Sequence, residues 1–167
     1  WVSIPSHIYP IIAASAATLL QLEGFNVIFN DCLIDGWSYE RFLKFIEDEN
    51  PDMLIFETKT PVIKSHWQII NHLKSQNPKT KLVLVGDHVT AFPEESFDES
   101  MVDYVITGGD YDIALLKLSR HLRDGSGLPK GIWYRDGDLI RKSDAFEEID
   151  DLNTLPFINR DLTRWEW

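Results

Sequence analysis

The sequence lacks the side chains that several common kinds of site require. It contains a single cysteine, Cys32, so it forms neither an internal disulfide nor a thiolate cluster or zinc site of its own. This composition predicts a reducing, cytoplasmic setting. Basic residues are also few, with 16 Lys and Arg against 27 Asp and Glu and a formal net charge of −11. Such a chain repels a phosphate backbone, so no nucleic-acid partner is expected.

Long apolar runs are missing as well. The most apolar stretch, residues 11–22, is shorter than the roughly 18 to 20 residues of a membrane span and contains Ser15, Thr18 and Gln21. It predicts a helix packed on a protein core, and no membrane span is expected. Because the chain opens on Trp1 with no initiator methionine and no charged leader, we expect it to be a piece of a longer polypeptide.

Short β-like runs alternate with longer stretches of helical periodicity, which is typical of a parallel sheet with crossover helices. One helix is predicted to begin at Pro10, and Ser38 is an N-cap candidate for the next. The pattern therefore predicts an α/β fold, flavodoxin-like and Rossmann-like, in which a doubly wound sheet of five parallel strands has helices on both faces. The strands are predicted at residues 2–4, 25–29, 53–56, 82–85 and 102–106.

The C-terminal part of the chain has a different pattern. Asp136-Gly137 lies between two β-like runs and is a strong hairpin signal. We predict three parts: an α/β domain at residues 1–127, a β-hairpin appendage at 128–148 and a linker at 149–167.

Ligands of open α/β sheets bind beyond the carboxyl ends of the strands, so the loops at that edge are the candidate site. A receiver domain would need an acidic pair after the first predicted strand, an aspartate at the end of the third and a lysine after the fifth. At those places this chain has Pro5, Glu57 and Thr107. A flavodoxin or dinucleotide site would need glycines after the first predicted strand, and that turn contains none. These three classes are disfavoured.

Small residues and hydroxyls are what the remaining loops offer. Gly86, Gly108 and Gly109 allow a flat ligand group to approach the backbone, and Thr58 and Thr60 supply hydroxyls for its polar atoms. Two other interpretations stay open. The glycines can be ordinary turn residues, and the threonines can cap the helix that is predicted to start near Pro61.

Four segments in this order resemble a known family, the cobalamin-binding domain that precedes the catalytic barrel in B12-dependent radical SAM proteins. That group includes methyltransferases and the anaerobic Mg-protoporphyrin IX monomethyl ester cyclase. The segments are LVGDHVT at 84–90 followed by PEE at 93–95, VDYVITGGD at 102–110, GIWYRDG at 131–137 and LNTLPFINRDL at 152–162. The last of them is similar to the linker that leads into the radical SAM barrel.

The resemblance implies cobalamin binding by this domain. It also implies that a separate barrel of the same polypeptide binds S-adenosylmethionine and a three-cysteine [4Fe-4S] cluster, while this domain presents the corrin to the substrate. The chain alone is then not an enzyme. The cofactor-binding residues that we predict are Pro5, Ser6, His7, Ile8, Tyr9, Thr58, Lys59, Thr60, Gly86, Asp87, His88, Val89, Thr107, Gly108, Gly109 and Asp110.

Gly108 has a special role in this prediction, since we expect it to line the slot for the cofactor's nucleotide tail. A Gly108→Phe change is then expected to abolish binding at little cost in stability, unless the glycine has a positive φ, in which case a penalty of about 1 to 2 kcal/mol is expected as well. The aspartate and histidine of the usual B12 signature are absent around His7, and by the same resemblance cobalt needs no protein ligand. Two rival functions stay open: a cofactor-free regulatory or protein-interaction domain, and an enzyme with a catalytic pair.

Overall fold

The computed structural model describes residues 8–146 and 151–163. Helices and strands alternate along most of this length. The helices are α1 (Ile11–Leu22), α2 (Tyr39–Glu49), α3 (Ile63–Gln76), α4 (Asp87–Ala91), α5 (Pro93–Glu99), α6 (Asp112–Asp124) and α7 (Arg160–Thr163), with a 3₁₀ turn at Leu152–Thr154. The strands are β1 (Met53–Glu57), β2 (Lys81–Val85), β3 (Tyr104–Ile106), β4 (Ile132–Asp136) and β5 (Leu139–Lys142).

The strands form one sheet in the order β1-β2-β3-β4-β5. The first three are parallel, with Phe56 opposite Leu84 and Val83 opposite Tyr104. β4 pairs antiparallel with β3, and β5 pairs antiparallel with β4 around Gly137. The described sheet is therefore mixed, with its parallel half at one side and its antiparallel half at the other.

The α/β, Rossmann-like class predicted from the sequence is confirmed: three of the strands predicted as parallel form the parallel half of the described sheet, and the separately predicted hairpin forms its antiparallel half. The strands predicted at 53–56, 82–85 and 102–106 are β1, β2 and β3. The one predicted at 2–4 lies outside the described residues. Within the described residues no strand is assigned at 25–29. A strand is defined by the ladder it shares with a partner, so apolar content alone does not make one.

The antiparallel pair was predicted as an appendage, and the structure places it in the sheet itself. Val105 pairs with Trp133 of β4, and Thr107 donates its backbone N–H to Gly131 O at 2.8 Å. Helix α6 lies between β3 and β4 in the chain, whereas β4 and β5 are joined only by the turn at Gly137, since antiparallel neighbours need no crossover helix.

The side chains of β2, the middle one of the three parallel strands, alternate between two cores, as a sheet covered on both faces requires. Leu82 and Leu84 belong to a cluster with Trp67, Ile70 and other residues of the helices on their face. Val83 and Val85 point the other way, into a cluster formed by the apolar faces of α1 and α6. The helices on both faces therefore make the fold doubly wound.

Asp103 joins three elements just before β3. Its carboxylate accepts the backbone N–H of Leu82 at 2.7 Å and lies 2.7 Å from Lys74 Nζ. Both charged side chains are largely buried, with 11% of Lys74 and 17% of Asp103 exposed. The pair fixes the end of α3 against the start of the parallel strands.

The segment that precedes and contains α7 packs along α1. The backbone N–H of Asn159 donates to Thr18 Oγ1 at 2.9 Å, and its side-chain amide donates to Gln21. Farther along, the Thr163 hydroxyl bonds the Tyr9 hydroxyl. The segment therefore runs from the second half of α1 back toward the residues that precede the helix. In the described ranges, no helix is both long and apolar enough to cross a membrane.

We expect Asp103→Ala to lower the free energy of unfolding by about 2 to 3 kcal/mol, because it leaves the Leu82 N–H without an acceptor and removes the only carboxylate, among the described residues, paired with the largely buried Lys74 ammonium, which keeps just the carbonyls of Pro78 and Thr80. Urea unfolding measures this change. The control is Asp48→Ala, which removes a surface carboxylate that pairs with Lys44 on α2 and is 57% exposed. It should cost well under 1 kcal/mol. Equal losses for both variants would contradict the assignment.

Candidate functional site

The three parallel strands end side by side at one edge of the sheet. Their last residues are Glu57, Val85 and Ile106, and each is followed directly by residues that the sequence had suggested for a site. This edge is where open α/β sheets bind ligands. We call it the carboxyl edge.

Gly86 lies in backbone contact with Thr58 at the carboxyl edge. The N–H of Thr58 donates to Val85 O at 2.9 Å, which continues the ladder one residue beyond β1. A Cβ atom on Gly86 would lie 2.4 Å from the carbonyl oxygen of Thr58, and Gly86 has a φ of 111°. Only glycine fits both the conformation and the contact. The ends of β1 and β2 are therefore held closer together than any other residue would permit.

Among the residues that the structure describes, the hydroxyl of Thr58 finds no hydrogen-bond partner, although Thr58 is completely buried. An unpaired buried hydroxyl costs about 1 to 3 kcal/mol, so native structures rarely keep one without a reason. The predicted alternative, a helix cap, does not apply. α3 begins at Ile63, and its N-cap Val62 receives no side-chain cap bond. The Thr58 hydroxyl is thus not used to cap α3.

Thr90 connects the loops that follow β2 and β3. Its hydroxyl donates to Gly86 O at 2.9 Å and accepts the backbone N–H of Gly108 at 3.1 Å. On the far side, Thr107 donates both its N–H and its hydroxyl to Gly131 O, at 2.8 and 2.9 Å. Side-chain and backbone bonds therefore tie these loops to one another across the carboxyl edge.

Gly108 faces an aromatic ring. A Cβ atom on Gly108 would lie 2.5 Å from Cδ2 and 2.6 Å from Cγ of Phe146, and the φ of Gly108 is 105°. The surface of Gly108 is therefore flat enough to receive a ring. Because the φ of Gly108 is positive, Gly108→Phe is expected to cost stability through backbone strain, and the volume that Phe146 fills adds a clash that the sequence did not predict.

His88 is buried at the start of α4, in a helical turn rather than the loop expected from the sequence. Its Nδ1 lies 3.2 Å from Thr60 Oγ1. Its Nε2 lies 3.3 Å from Glu95 Oε2, which is an ion-pair distance without hydrogen-bond geometry. The ring also packs edge-on against Trp67, with 6.1 Å between centroids. Both nitrogens thus face protein groups, and the imidazole holds Thr60 in place.

Tyr111 brings a phenol to the end of β1. Its hydroxyl donates to Glu57 Oε2 at 3.2 Å, and the residue is 2% exposed. Burial first, and then the neighbouring Glu57 carboxylate, raise the pKa of Tyr111 far above its usual range. The phenol therefore keeps its proton and acts as a hydrogen-bond donor.

The other predicted residues divide by exposure. Val89 is completely buried in the core, so its side chain packs between α4 and the sheet. Ile8 is 76% exposed, and Tyr9 bonds Thr163 and lies 4.7 Å beneath the guanidinium of Arg160. Lys59, Asp87, Gly109 and Asp110 are exposed at the carboxyl edge. Pro5, Ser6 and His7 lie outside the described residues.

Three residues of the carboxyl edge were missing from the predicted site: Thr90, Tyr111 and Phe146. Thr90 stands four residues after Gly86, the spacing at which a helical threonine bonds a preceding carbonyl, so the sequence carried a weak signal for it. Tyr111 and Phe146 carried none, because tertiary packing alone brings each to its partner. Within residues 8–146 and 151–163, no group of three or more His, Cys, Asp or Glu side chains is placed to hold a metal ion.

The family comparison bears on this edge directly. The model of the family described as B12 binding domain matches residues 2–115, more than half of the chain and all of β1 to β3 with the loops at their carboxyl ends. The chain belongs to the B12 binding domain family. Its fold is that of a B12-binding domain, as the resemblance in the sequence implied.

Longer proteins contain a similar domain. An uncharacterized methyltransferase of Pyrococcus horikoshii, PH0819, is 22% identical over 155 residues, which are 92% of this chain and 34% of the relative. Among solved structures, the cobalamin-dependent S-adenosylmethionine radical enzyme OxsB with aqua-cobalamin bound has a TM-score of 0.78 at 16% identity and matches 95% of this chain. The radical S-adenosylmethionine methyltransferase TsrM of Kitasatospora setae, with cobalamin and a [4Fe-4S] cluster bound, has a TM-score of 0.70 at 17% identity and matches 84%.

This chain spans only part of each of those proteins, namely 23% of the OxsB chain and 29% of the TsrM chain. The likeness in structure is a likeness of fold. Together with the family match, it shows a B12-binding domain that resembles those of cobalamin-dependent radical SAM enzymes.

We expect Gly86→Ala to destabilise the protein by more than about 2 kcal/mol, because the left-handed backbone strain of about 1 to 2 kcal/mol is joined by a clash with the Thr58 carbonyl. The matched control is Gly24→Ala. Gly24 has a φ of 80° and no atom within 4 Å of the added Cβ, so only the backbone strain remains. Thermal and urea unfolding compare the two. A loss for Gly86→Ala no larger than the control's would refute the contact.

Proposed function

We propose that this chain is the cobalamin-binding module of a B12-dependent radical SAM protein, and that it presents the corrin to a substrate held by a separate barrel of the same polypeptide. S-Adenosylmethionine and a [4Fe-4S] cluster would belong to that barrel. Family membership and the fold support the cobalamin part. The radical SAM part is supported by the likeness to OxsB and TsrM and by the four matching sequence segments.

The orphaned hydroxyl of Thr58 is the observation that carries the proposal. It lies completely buried beside Gly86, at the edge where ligands bind. A hydrogen-bonding atom of the cofactor would remove the cost of this unpaired group. Gly108 adds a flat, glycine-lined surface of the size of one aromatic ring. The carboxyl edge would thus supply two features that bind a corrin with a nucleotide tail. The Thr58 hydroxyl is a hydrogen-bonding anchor, and Gly108 leaves room for a planar group.

Other residues fit supporting roles. Thr60, held by His88, offers a second hydroxyl at the exposed rim, and Thr90 keeps the loops of Gly86 and Gly108 in register. When bound, cobalamin would supply a cobalt centre able to carry an alkyl group. The protein residues described here would bind and orient the cofactor.

The C-terminal segment supports the proposed relation to a barrel. Ser15, early in α1, donates to Asp112, the first residue of α6, at 2.6 Å. Since α6 begins just after β3 ends, the start of α1 lies at the carboxyl edge. Thr163 bonds Tyr9 at this same end. A domain connected through this segment would be adjacent to the cofactor. The division at residues 127 and 148 and the cytoplasmic setting stay predictions.

Equilibrium dialysis with hydroxocobalamin tests the proposal. We expect saturable binding and an increase in thermal stability, because a ligand that binds only the folded state adds about 2.7 kcal/mol at a hundredfold excess over Kd. A preparation with corrin absorbance after dialysis would distinguish this function from a cofactor-free regulatory domain. Absence of binding, both by this chain and by a longer protein that includes it, would refute the proposal.

The Thr58→Val variant tests the anchor. Valine has nearly the same shape as threonine but lacks the hydroxyl, so we expect cobalamin binding to weaken about tenfold, which corresponds to 1.4 kcal/mol. Stability without cofactor should stay the same or rise, since an unpaired buried hydroxyl is removed.

Thr80→Val is the matched control for this variant. Thr80 is also buried, but its hydroxyl donates to Pro51 O at 3.0 Å, at the opposite end of β2. It should lose about 1 kcal/mol of stability and bind cobalamin normally. If Thr58→Val binds as tightly as the parent, the hydroxyl is not the anchor.

A further inference from the structure

Phe146 lies on two glycines at the carboxyl edge. Its ring fills the space above Gly108, where an added Cβ would lie 2.5 Å from Cδ2. Its Cβ and Cα lie 3.1 and 3.3 Å from the position of a Cβ on Gly131. Both glycines have a positive φ, of 105° and 78°. The backbone at Gly108 and Gly131 is thus shaped to accept an aromatic ring. In this structure that ring is the side chain of Phe146.

The chain leading to Phe146 is firmly held. Ser143 donates its N–H to Ile132 O at 2.8 Å, and Asp144 O accepts the N–H of Gly131 at 2.7 Å. These bonds continue the hairpin ladder to within two residues of Phe146. The side chain is therefore delivered to Gly108 by the sheet, while rotation about its own bonds can still move the ring.

Cavities lie on either side of Phe146. One, of about 300 Å³, includes Thr90, Thr107 and Trp133 in its lining. The other, of about 320 Å³, includes Ala114 and Leu128. Phe146 lines both and separates them. The ring that covers Gly108 is therefore also the side chain that the two cavities share.

We propose that Phe146 is a gating residue that occupies the place of the cofactor's nucleotide ring and must swing out before the nucleotide tail can insert over Gly108. This inference rests on the proposed cobalamin function. The ring matches the incoming group in shape and apolar character, so it keeps the edge packed and limits binding to a ligand able to displace it.

The effect on affinity follows from mass action. If only a fraction of molecules have the ring turned out, the apparent Kd equals the intrinsic Kd divided by that fraction. Removing the ring makes every molecule competent. A tenfold preference for the closed position would therefore weaken the parent about tenfold relative to a variant without the ring.

The experiment compares the parent with Phe146→Ala, using two ligands in equilibrium dialysis. One is hydroxocobalamin. The other is cobinamide, a corrin without the nucleotide tail. We expect Phe146→Ala to tighten hydroxocobalamin binding several-fold, up to about tenfold, and to leave cobinamide binding unchanged, since only the tail competes with the ring. Stopped-flow association of hydroxocobalamin should be faster by a similar factor.

Two further variants complete the design. Phe157→Ala is the control, because Phe157 is 100% exposed and its removal should change neither ligand's affinity. Thermal unfolding verifies that each variant is folded. Phe146→Leu keeps apolar bulk without a flat ring, serves if the alanine variant does not fold, and should give an intermediate tightening.

Each outcome decides the question. Unchanged or weaker hydroxocobalamin binding by the folded Phe146 variants would overturn the gate, the weaker case showing instead that the ring forms part of the bound site. Equal tightening of both ligands would overturn competition with the tail. Failure of the parent, of every variant and of a longer protein that includes this chain to bind either ligand would refute the proposed function itself, which is thereby distinguished from failure of the gate.

Discussion

The approach of Gly86 to the backbone of Thr58 is the constraint on which the carboxyl edge depends. It lets the ladder between β1 and β2 continue through the bond from Thr58 to Val85, and it buries the Thr58 hydroxyl without a partner. A side chain at residue 86 would push the loops apart. The close packing that stabilises the strand ends is therefore also what buries the unpaired Thr58 hydroxyl, the group that is proposed to bind a ligand.

Polar groups at this edge differ in how fully they are satisfied. Thr90 uses its hydroxyl twice, to Gly86 and Gly108, and Tyr111 donates to Glu57. These groups are engaged with the protein and fix the loops. Thr58 is not engaged. The hydrogen-bonded loops thus form a fixed scaffold around the buried Thr58 hydroxyl, which limits how much of the edge a ligand has to reorder.

The antiparallel half of the sheet contributes to the site in a way that a parallel strand would not. A hairpin returns the chain to the carboxyl edge at Ser143 and Asp144, where backbone bonds to Ile132 and Gly131 place Phe146 over Gly108. On the opposite face, the packing of Asn159 and Thr163 on α1 guides the C-terminal segment toward the same edge. Two segments outside the parallel strands thus meet the region where the cofactor is proposed to bind.

Local sequence pattern was enough to predict the strands and the helix cap that depend on neighbouring residues. The apolar runs at 53–56, 82–85 and 102–106 became the parallel strands, and the Ser38 hydroxyl caps α2 by accepting the N–H of Arg41, since periodicity and capping are properties of neighbouring residues. Tertiary structure decided the rest. The hairpin joined the sheet because an edge strand was available, His88 became buried in a helical turn, and the space over Gly108 was filled by a phenylalanine 38 positions away, which no local rule connects to it. Pairing, burial and orphaned hydroxyls depend on what lies across space, and that is settled only when the chain has folded.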